Sequence, residues 1–215
     1  MTTTDMTATD SPATRVDFWF DPVCPWTWLT SRWLLEVADQ RPLVIQWHVM
    51  SLSMLNEGRE LPEQYVELMQ LAWGPVRVLT AAQQKFGDEY VLPLFDAMGE
   101  RLHRQSRTDI DAVVAESVAV VGLPPEIAAA AGDSTWDDAL RASHERALEL
   151  VGDDVGSPVI RLPDAPGSGA YFGPVVNPVP RGADALRLWE GIEALASTPQ
   201  LHELKRSRSG DPIID

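Results

Sequence analysis

The sequence is poorest in cysteine: Cys24 is the only one in 215 residues. A single thiol excludes an internal disulfide and a cysteine-rich zinc or iron–sulfur site, so any disulfide must join Cys24 to another molecule. The four histidines show no paired metal-ligand spacing, and no glycine-rich phosphate motif follows a predicted strand. We therefore expect neither a metal nor a nucleotide.

Basic residues are also scarce, with 17 Lys and Arg against 32 Asp and Glu and a formal net charge of −15. Such a chain repels phosphate polymers, and its one basic run, Lys205-Arg206-Ser207-Arg208, is short. Nucleic acid is therefore not an expected partner. No run approaches 18 apolar residues, and the first residues lack the charged and apolar regions of a signal peptide. Together with the free thiol, these absences predict a cytoplasmic protein without a membrane partner.

Hydrophobic periodicity predicts an α/β protein. Val16, Phe18 and Phe20 alternate with other residues as in a strand, and Cys24-Pro25 opens a helix that extends to about Gln40. The remaining predicted elements are a strand at 43–50, helices between 62 and 151 with a break at Gly74-Pro75, short strands at 156–162 and 170–172, and a helix at 183–196. The order βαβ … ββα indicates one sheet layer with an inserted all-helical subdomain.

This order divides the chain into four parts. We expect a disordered tail over residues 1–14, because it is polar and lacks aromatic residues. Residues 15–61 and 152–200 form the sheet domain, residues 62–151 form the helical insertion, and residues 201–215 form a C-terminal tail.

Cys24 lies between a predicted strand and a predicted helix, a position that favours a reactive thiolate. At a helix start the sulfur faces unpaired backbone N–H groups and the positive end of the helix dipole. Both favour the thiolate, and cysteines so placed have pKa values of about 3.5 to 7.5. Cys24 is thus predicted to be the reactive group; the alternative is a small buried hydrophobic residue.

Several stretches around Cys24 resemble a known family. They are DFWFDPVCPWTWLTSRWLLEVA, WHVMSLSMLNE, LPEQY, AWGPVRV, DDVGSPVI, YFGPV and ELKR. Together they are similar to the actinobacterial mycothiol-dependent nitroreductases, a branch of the DsbA-like proteins. The resemblance covers residues 16–208 and implies a thioredoxin-like fold.

The most important departure from that family is Thr27, which stands where the family has its second cysteine. In the dithiol mechanism the second cysteine attacks the mixed disulfide on the first, and a threonine cannot do this. The resemblance therefore implies monothiol chemistry at Cys24, with an external low-molecular-weight thiol or a mycoredoxin-type reductase to resolve the adduct. Three positions separate Thr27 from Cys24, so its hydroxyl could also hydrogen-bond the thiolate. The alternative is that Thr27 marks a protein that has lost redox activity.

The resemblance implies further site residues. Pro25 and Trp26 belong to the active turn, with Trp26 at the rim where it could stack on a flat substrate. Asn56 and Tyr65 lie in a segment expected to fold over the pocket. Ser157 and Pro158 are expected to form a cis peptide that faces Cys24. His103 ends a helix in the insertion and is predicted either to contact the thiolate or a cofactor, or to lie in solvent.

The resemblance predicts a thiol-dependent oxidoreductase that uses mycothiol or a similar small thiol and reduces nitroaromatic or disulfide substrates. An alternative is a thiol-dependent transferase or isomerase related to the kappa glutathione transferases or 2-hydroxychromene-2-carboxylate isomerases, in which Thr27 or Ser157 orients the thiol. A third alternative is a non-catalytic thiol-binding protein. A monomer and a homodimer are both compatible with the sequence.

Overall fold

A four-stranded sheet organises the protein. The computed structural model describes residues 12–208 and 210–214, without the side chain of Gln64. The strand order is β2-β1-β3-β4. Strand β1 pairs in parallel with β2 and antiparallel with β3, and β3 pairs antiparallel with β4. The bounds are β1 Thr14–Phe20, β2 Leu43–Val49, β3 Val159–Arg161 and β4 Ala170–Phe172.

Eight α-helices accompany the sheet in the described part of the chain. They are α1 Pro25–Ala38, α2 Leu52–Leu55, α3 Glu63–Leu71, α4 Trp73–Phe86, α5 Val91–Gly99, α6 Ile110–Val120, α7 Asp137–Val151 and α8 Gly182–Ala196. The predicted break near Gly74-Pro75 is confirmed, because α3 ends and α4 begins on either side of Ala72. Helices α3 to α7 all lie between β2 and β3 in the chain, so the expected α/β thioredoxin-like fold with a helical insertion is confirmed.

Strand β1 is buried on both faces where it approaches Cys24. Phe18 and Phe20 join the main core, in which the Phe20 and Phe95 ring centroids are 4.2 Å apart. Trp19 faces the opposite way, packs with Met50, and donates from its indole N–H to the Ser143 carbonyl on α7. Helices on both sides therefore fix the carboxyl end of β1.

Helix α1 begins where the sequence predicts. Pro25 occupies its first turn, where the missing N–H removes no hydrogen bond, and Cys24 precedes it with an extended backbone. Trp33, Leu34 and Val37 bury one side of the helix. The Trp33 indole N–H donates to Ala185 O of α8, which fixes α1 against the last helix.

The structure describes the two predicted tails only in part. Residues 1–11 of the N-terminal tail lie outside the described residues, and Thr14 is already part of β1. Residues 201–208 and 210–214 contain no helix or strand, but they lie against the folded protein. The Tyr171 hydroxyl lies 2.9 Å from Leu195 O and 3.1 Å from Leu201 O, and the Asn177 side chain forms hydrogen bonds with the backbone of Asp211 and Ile213. No helix in the described part of the chain is long and apolar enough to cross a membrane.

Candidate active site

The Cys24 side chain lies at the carboxyl end of β1, in the turn that leads into α1. Its backbone N–H donates to Asp21 O at 3.1 Å. Its sulfur lies 3.7 Å from Ser157 O, to which the thiol donates. The residue is only 6% exposed. The structure thus places the predicted nucleophile at the helix start but beneath the surface.

Thr27 and Ser157 form a buried hydroxyl pair beside Cys24. The Thr27 hydroxyl donates to Ser157 Oγ at 2.9 Å, and both residues are buried. Because Thr27 supplies the hydrogen for this bond, the Ser157 hydroxyl hydrogen is free to turn toward the sulfur. The Ser157–Pro158 peptide bond is cis. The structure therefore brings four of the predicted site residues together: Cys24, Thr27, Ser157 and Pro158.

The expectation of a low pKa for Cys24 is wrong for this conformation. Burial is the largest influence and raises the pKa of the thiol above its ordinary value, since the thiolate loses its hydration. Hydrogen bonds from Ser157 and Thr27 oppose this effect, and the Asp21 carboxylate adds to it by repulsion. Sequence reasoning considered the helix start but had no measure of how much protein covers the sulfur. The resting state is consequently a neutral thiol.

Asp21 is a functional candidate that the sequence analysis did not single out. Its carboxyl group is fully buried and accepts hydrogen bonds from Val23 N at 2.9 Å and Leu52 N at 2.7 Å. Burial raises its pKa to about 7, against the lowering effect of these two bonds. Asp21 therefore fixes the turn before Cys24 to the start of α2 and changes charge near neutral pH.

We expect an Asp21→Asn substitution to lower the pKa of Cys24, because it removes a negative charge that repels the thiolate. Alkylation should then be faster than in wild type at pH 8, because a larger fraction of the Cys24 thiol is ionised. The measurement is the rate of iodoacetamide alkylation from pH 6 to 10.

The matched control for this substitution is Asp17→Asn, which changes a carboxylate on β1 that pairs with His48. It should leave the alkylation profile unchanged. A pKa of Cys24 that stays the same or rises in Asp21→Asn would contradict the assigned repulsion.

His103 holds the other side of the same turn. It lies in a turn of π-helix at Glu100–Arg104, directly after α5. Its Nε2 is 2.8 Å from Pro22 O, and its ring lies 5.8 Å from that of Trp28. Burial lowers its pKa to about 4, so the neutral ring donates to the carbonyl at pH 7. His103 is therefore not a solvated helix end, and its Nε2 bonds Pro22 O instead of the Cys24 sulfur. Its role is to position the backbone that precedes Cys24.

Short helix α2 connects the Cys24 turn to a cavity of about 470 Å³. Its first residue, Leu52, donates its N–H to Asp21, and Asn56 ends it. The cavity is lined by Ser53, Asn56, Gly58, Arg59, Leu61, Val66, Met69, Gln70 and Trp73. Asn56 therefore lines this cavity, but Cys24 does not, so the expectation that Asn56 contacts the substrate of Cys24 stays a prediction.

Tyr65 and Trp26 lie at the edges of the site. Tyr65 is 46% exposed on α3, the helix whose Val66 and Met69 line the cavity. Trp26 is half-buried in the first turn of α1. The guanidinium carbon of Arg208 lies 5.2 Å from the centroid of its ring. Sequence analysis did not anticipate this contact, because nothing local links residues so far apart in the chain.

The described side chains include no group of three or more His, Cys, Asp or Glu residues that could hold a metal ion. What the site offers instead is one thiol, two hydroxyl groups, a buried carboxyl group and a neutral imidazole, at the end of a strand in a thioredoxin-like sheet. These features define a DsbA-like protein of the thioredoxin fold with a single cysteine in its active turn.

The particular family follows from comparison with known proteins. Residues 23–206 match the model of the Rv2466c-like family, described as mycothiol-dependent nitroreductase Rv2466c, and the chain belongs to this family. It is 31% identical over 201 residues to the uncharacterized protein Rv2286c of Mycobacterium tuberculosis (strain ATCC 25618 / H37Rv), covering 91% of this chain and 83% of that protein.

Solved structures share the fold. A 2-hydroxychromene-2-carboxylate isomerase superposes with a TM-score of 0.57 at 15% identity, covering 84% of this chain and 93% of that chain. The probable DsbA oxidoreductase SCO1869 from Streptomyces coelicolor gives a TM-score of 0.54 at 17% identity, covering 90% and 94%. At such low identity these similarities establish the architecture only.

Proposed function

We propose that this protein is a thiol-dependent oxidoreductase that works through a mixed disulfide between Cys24 and a low-molecular-weight thiol of the mycothiol type. The observation that carries the proposal is a single thiol at the start of α1, which is bonded to Ser157 O and flanked by the Thr27–Ser157 hydroxyl pair. The chain also belongs to the mycothiol-dependent nitroreductase family. Cytoplasmic action is part of the same proposal, because a free thiol persists in a reducing compartment.

The first step is thiol–disulfide exchange at Cys24. The thiol loses its proton to solvent, and the thiolate attacks one sulfur of a small disulfide, so that a new S–S bond forms while the old one breaks and a second thiolate leaves. Thr27 donates to Ser157, which lets the Ser157 hydroxyl donate to the developing thiolate. These two hydroxyls offset the cost of ionising a buried sulfur.

Release from Cys24 requires an external thiol. An incoming thiolate attacks the small-thiol sulfur of the mixed disulfide, leaves with that thiol as a disulfide, and restores the Cys24 thiolate. Thr27 cannot take this role, because a hydroxyl group does not exchange with a disulfide. A small thiol or a mycoredoxin-type partner therefore completes the cycle.

When Cys24 and the bound small thiol are both reduced, they can instead reduce a nitroaromatic substrate. One thiol from Cys24 and one from the small thiol supply two electrons and two protons. The nitro group then becomes a nitroso group, water leaves, and Cys24 is left in a mixed disulfide. Trp26 at the rim would stack on the flat ring of such a substrate.

The cavity beyond α2 fits the small thiol. Its volume of about 470 Å³ lies within the roughly 300–1,000 Å³ of ligand pockets. Asn56, Gln70 and Arg59 supply amide and guanidinium groups that suit the hydroxyl and amide groups of such a molecule, while Trp73 and Met69 supply apolar surface. Because Cys24 does not line this cavity, the bound thiol would have to extend past α2 to bring to Cys24 the second sulfur that this chain lacks. Tyr65 on α3 would border the same ligand.

A thiol-dependent isomerase or transferase is the second candidate. The buried Thr27–Ser157 hydroxyl pair could orient a bound thiol without any covalent step at Cys24. This candidate predicts that activity survives replacement of Cys24, whereas the mixed-disulfide mechanism predicts that it disappears.

Incubation with an oxidised small thiol tests the proposal. We expect mass spectrometry to show one added thiol on the wild-type protein and none on a Cys24→Ser variant. Because the pKa of Cys24 is raised, the rate should increase continuously from pH 7 to pH 9. A wild-type protein that forms no adduct up to pH 9, or a Cys24→Ser variant with undiminished turnover, would contradict the proposal.

A further inference from the structure

The C-terminal segment brings a positive charge to the active turn. The Arg208 guanidinium lies over the ring of Trp26, two residues after Cys24. The first turn of α1 is also connected to the segment around Pro174, since the Thr30 hydroxyl is 3.0 Å from Trp26 O and 2.7 Å from Pro174 O. Arg208 and the reactive thiol are therefore held at the same end of α1.

Two anchors keep the segment in this place. Upstream of Arg208, the Tyr171 hydroxyl lies 3.1 Å from Leu201 O. Downstream, the Asn177 side chain donates to Asp211 O at 3.0 Å and accepts from Ile213 N at 2.8 Å. Arg208 thus lies between two segments that are bonded to the folded protein, and its contact in the structure is with Trp26.

The basic residues of this segment have no carboxylate partner within the part of the chain that the structure describes. Most arginines in the described part of the chain lie within 4 Å of a carboxylate, as Arg187 does with Asp184. Lys205, Arg206 and Arg208 are exposed and have no carboxylate within that distance among the described residues. In a chain with a net charge of −15, these residues concentrate positive charge in the segment whose Arg208 contacts Trp26.

We propose that Trp26 and Arg208 form a binding site for an aromatic substrate that carries a carboxylate. The Arg208 guanidinium lies over the Trp26 ring in the structure, so the aromatic ring of the substrate would displace it and stack on the indole. The displaced guanidinium would then donate two parallel hydrogen bonds to the carboxylate. Lys205 and Arg206 raise the local concentration of such anions. This inference rests on the proposed function and names its substrate class: a planar, anionic disulfide or electrophile.

The proposed anion site can be tested with two aromatic disulfides that differ in charge. The Cys24 thiolate attacks one sulfur of dithiobis(nitrobenzoate), a dianion. A Cys24–thionitrobenzoate disulfide forms, and one coloured thionitrobenzoate leaves. Dithiodipyridine undergoes the same exchange without a charge and releases thiopyridone. Both rates are measured by absorbance on the whole protein.

We expect Arg208→Gln to slow the reaction with the dianion about fivefold and the reaction with the uncharged disulfide less than about twofold. Raising the salt concentration from about 50 to about 500 mM should remove most of this difference, because screening weakens exposed charge interactions. Arg187→Gln is the matched control: it removes an exposed charge on α8 and should change neither rate.

The outcomes separate this inference from the proposed function. An Arg208→Gln variant that loses both reactions equally, or neither, would overturn the anion site while leaving the chemistry of Cys24 intact. A wild-type Cys24 that reacts with neither reagent would overturn the proposed function, and the anion site with it. A circular dichroism spectrum identical to that of wild type shows that the variant is folded.

Discussion

A Thr27→Cys variant is expected to release a bound small thiol from Cys24 without help from any other molecule. Thr27 lies three positions after Cys24 on α1, and such residues have Cβ atoms about 5–6 Å apart. That spacing falls close to the range that a disulfide can join after small adjustments. Threonine and cysteine are similar in size, so the buried site should accept the change with little strain.

The expected effect is large because the new thiol attacks from within the molecule. The mixed disulfide on wild-type Cys24 should persist for as long as free thiol is absent. In Thr27→Cys it should decay at least about 100-fold faster, because intramolecular attack benefits from a high effective concentration. The measurement is the mass of the adduct over time after excess thiol is removed, with an internal disulfide between Cys24 and the introduced cysteine as the product.

Thr27→Ser is the matched control for this experiment. It keeps the hydroxyl group that donates to Ser157 and adds no sulfur, so its mixed disulfide should persist as in wild type. An adduct that lives equally long in Thr27→Cys would show that the side chain at position 27 cannot reach the mixed disulfide on Cys24. It would contradict our view that Thr27 is all that separates this site from a dithiol site.

Local sequence signals were enough to predict the framework of the site. The alternation at Val16, Phe18 and Phe20 and the Pro25 that opens α1 place Cys24 between a strand and a helix, and the structure confirms this. Such signals are contained in neighbouring residues, so they can be read without knowledge of the tertiary structure. The parallel β1–β2 pairing follows from the helix between the two strands.

The electrostatics of the site could not be predicted in this way. The pKa of Cys24 depends on how deeply the sulfur is buried and on the Asp21 carboxylate, neither of which a helix-start argument includes. The contact of His103 with Pro22 and that of Arg208 with Trp26 join residues far apart in the chain. Only the packing of the insertion and of the C-terminal segment against α1 creates them.

The second large effect is expected from Gly99→Ala, at the end of α5. A Cβ atom built on Gly99 would lie 2.2 Å from ring carbons of Trp28, which is far too close for two carbon atoms. Trp28 cannot easily move away. It is 4% exposed, packs against Phe95, and carries the Arg32 guanidinium 3.9 Å from its ring centroid. We expect a loss of about 3 kcal/mol or more in the free energy of unfolding, measured with urea.

Gly191→Ala is the matched control, because Gly191 lies inside α8 and its Cβ would meet no atom within 4 Å. Replacing a glycine by alanine inside a helix favours folding by about 0.5–1 kcal/mol, so this variant should be slightly more stable than wild type. A Gly99→Ala protein as stable as Gly191→Ala would mean that the packing of α5 against Trp28 is looser than the structure shows.

The same substitution connects the helical insertion to the thiol. Gly99 directly precedes the π-helical turn that carries His103, and His103 both packs near Trp28 and donates to Pro22 O. Displacing Trp28 should therefore weaken the hold on the turn before Cys24 and expose the sulfur. Exposure restores hydration to the thiolate and lowers the pKa of Cys24. Folded Gly99→Ala protein should then be alkylated faster than wild type at pH 8, whereas an unchanged rate would show that His103 does not transmit the disturbance to Cys24.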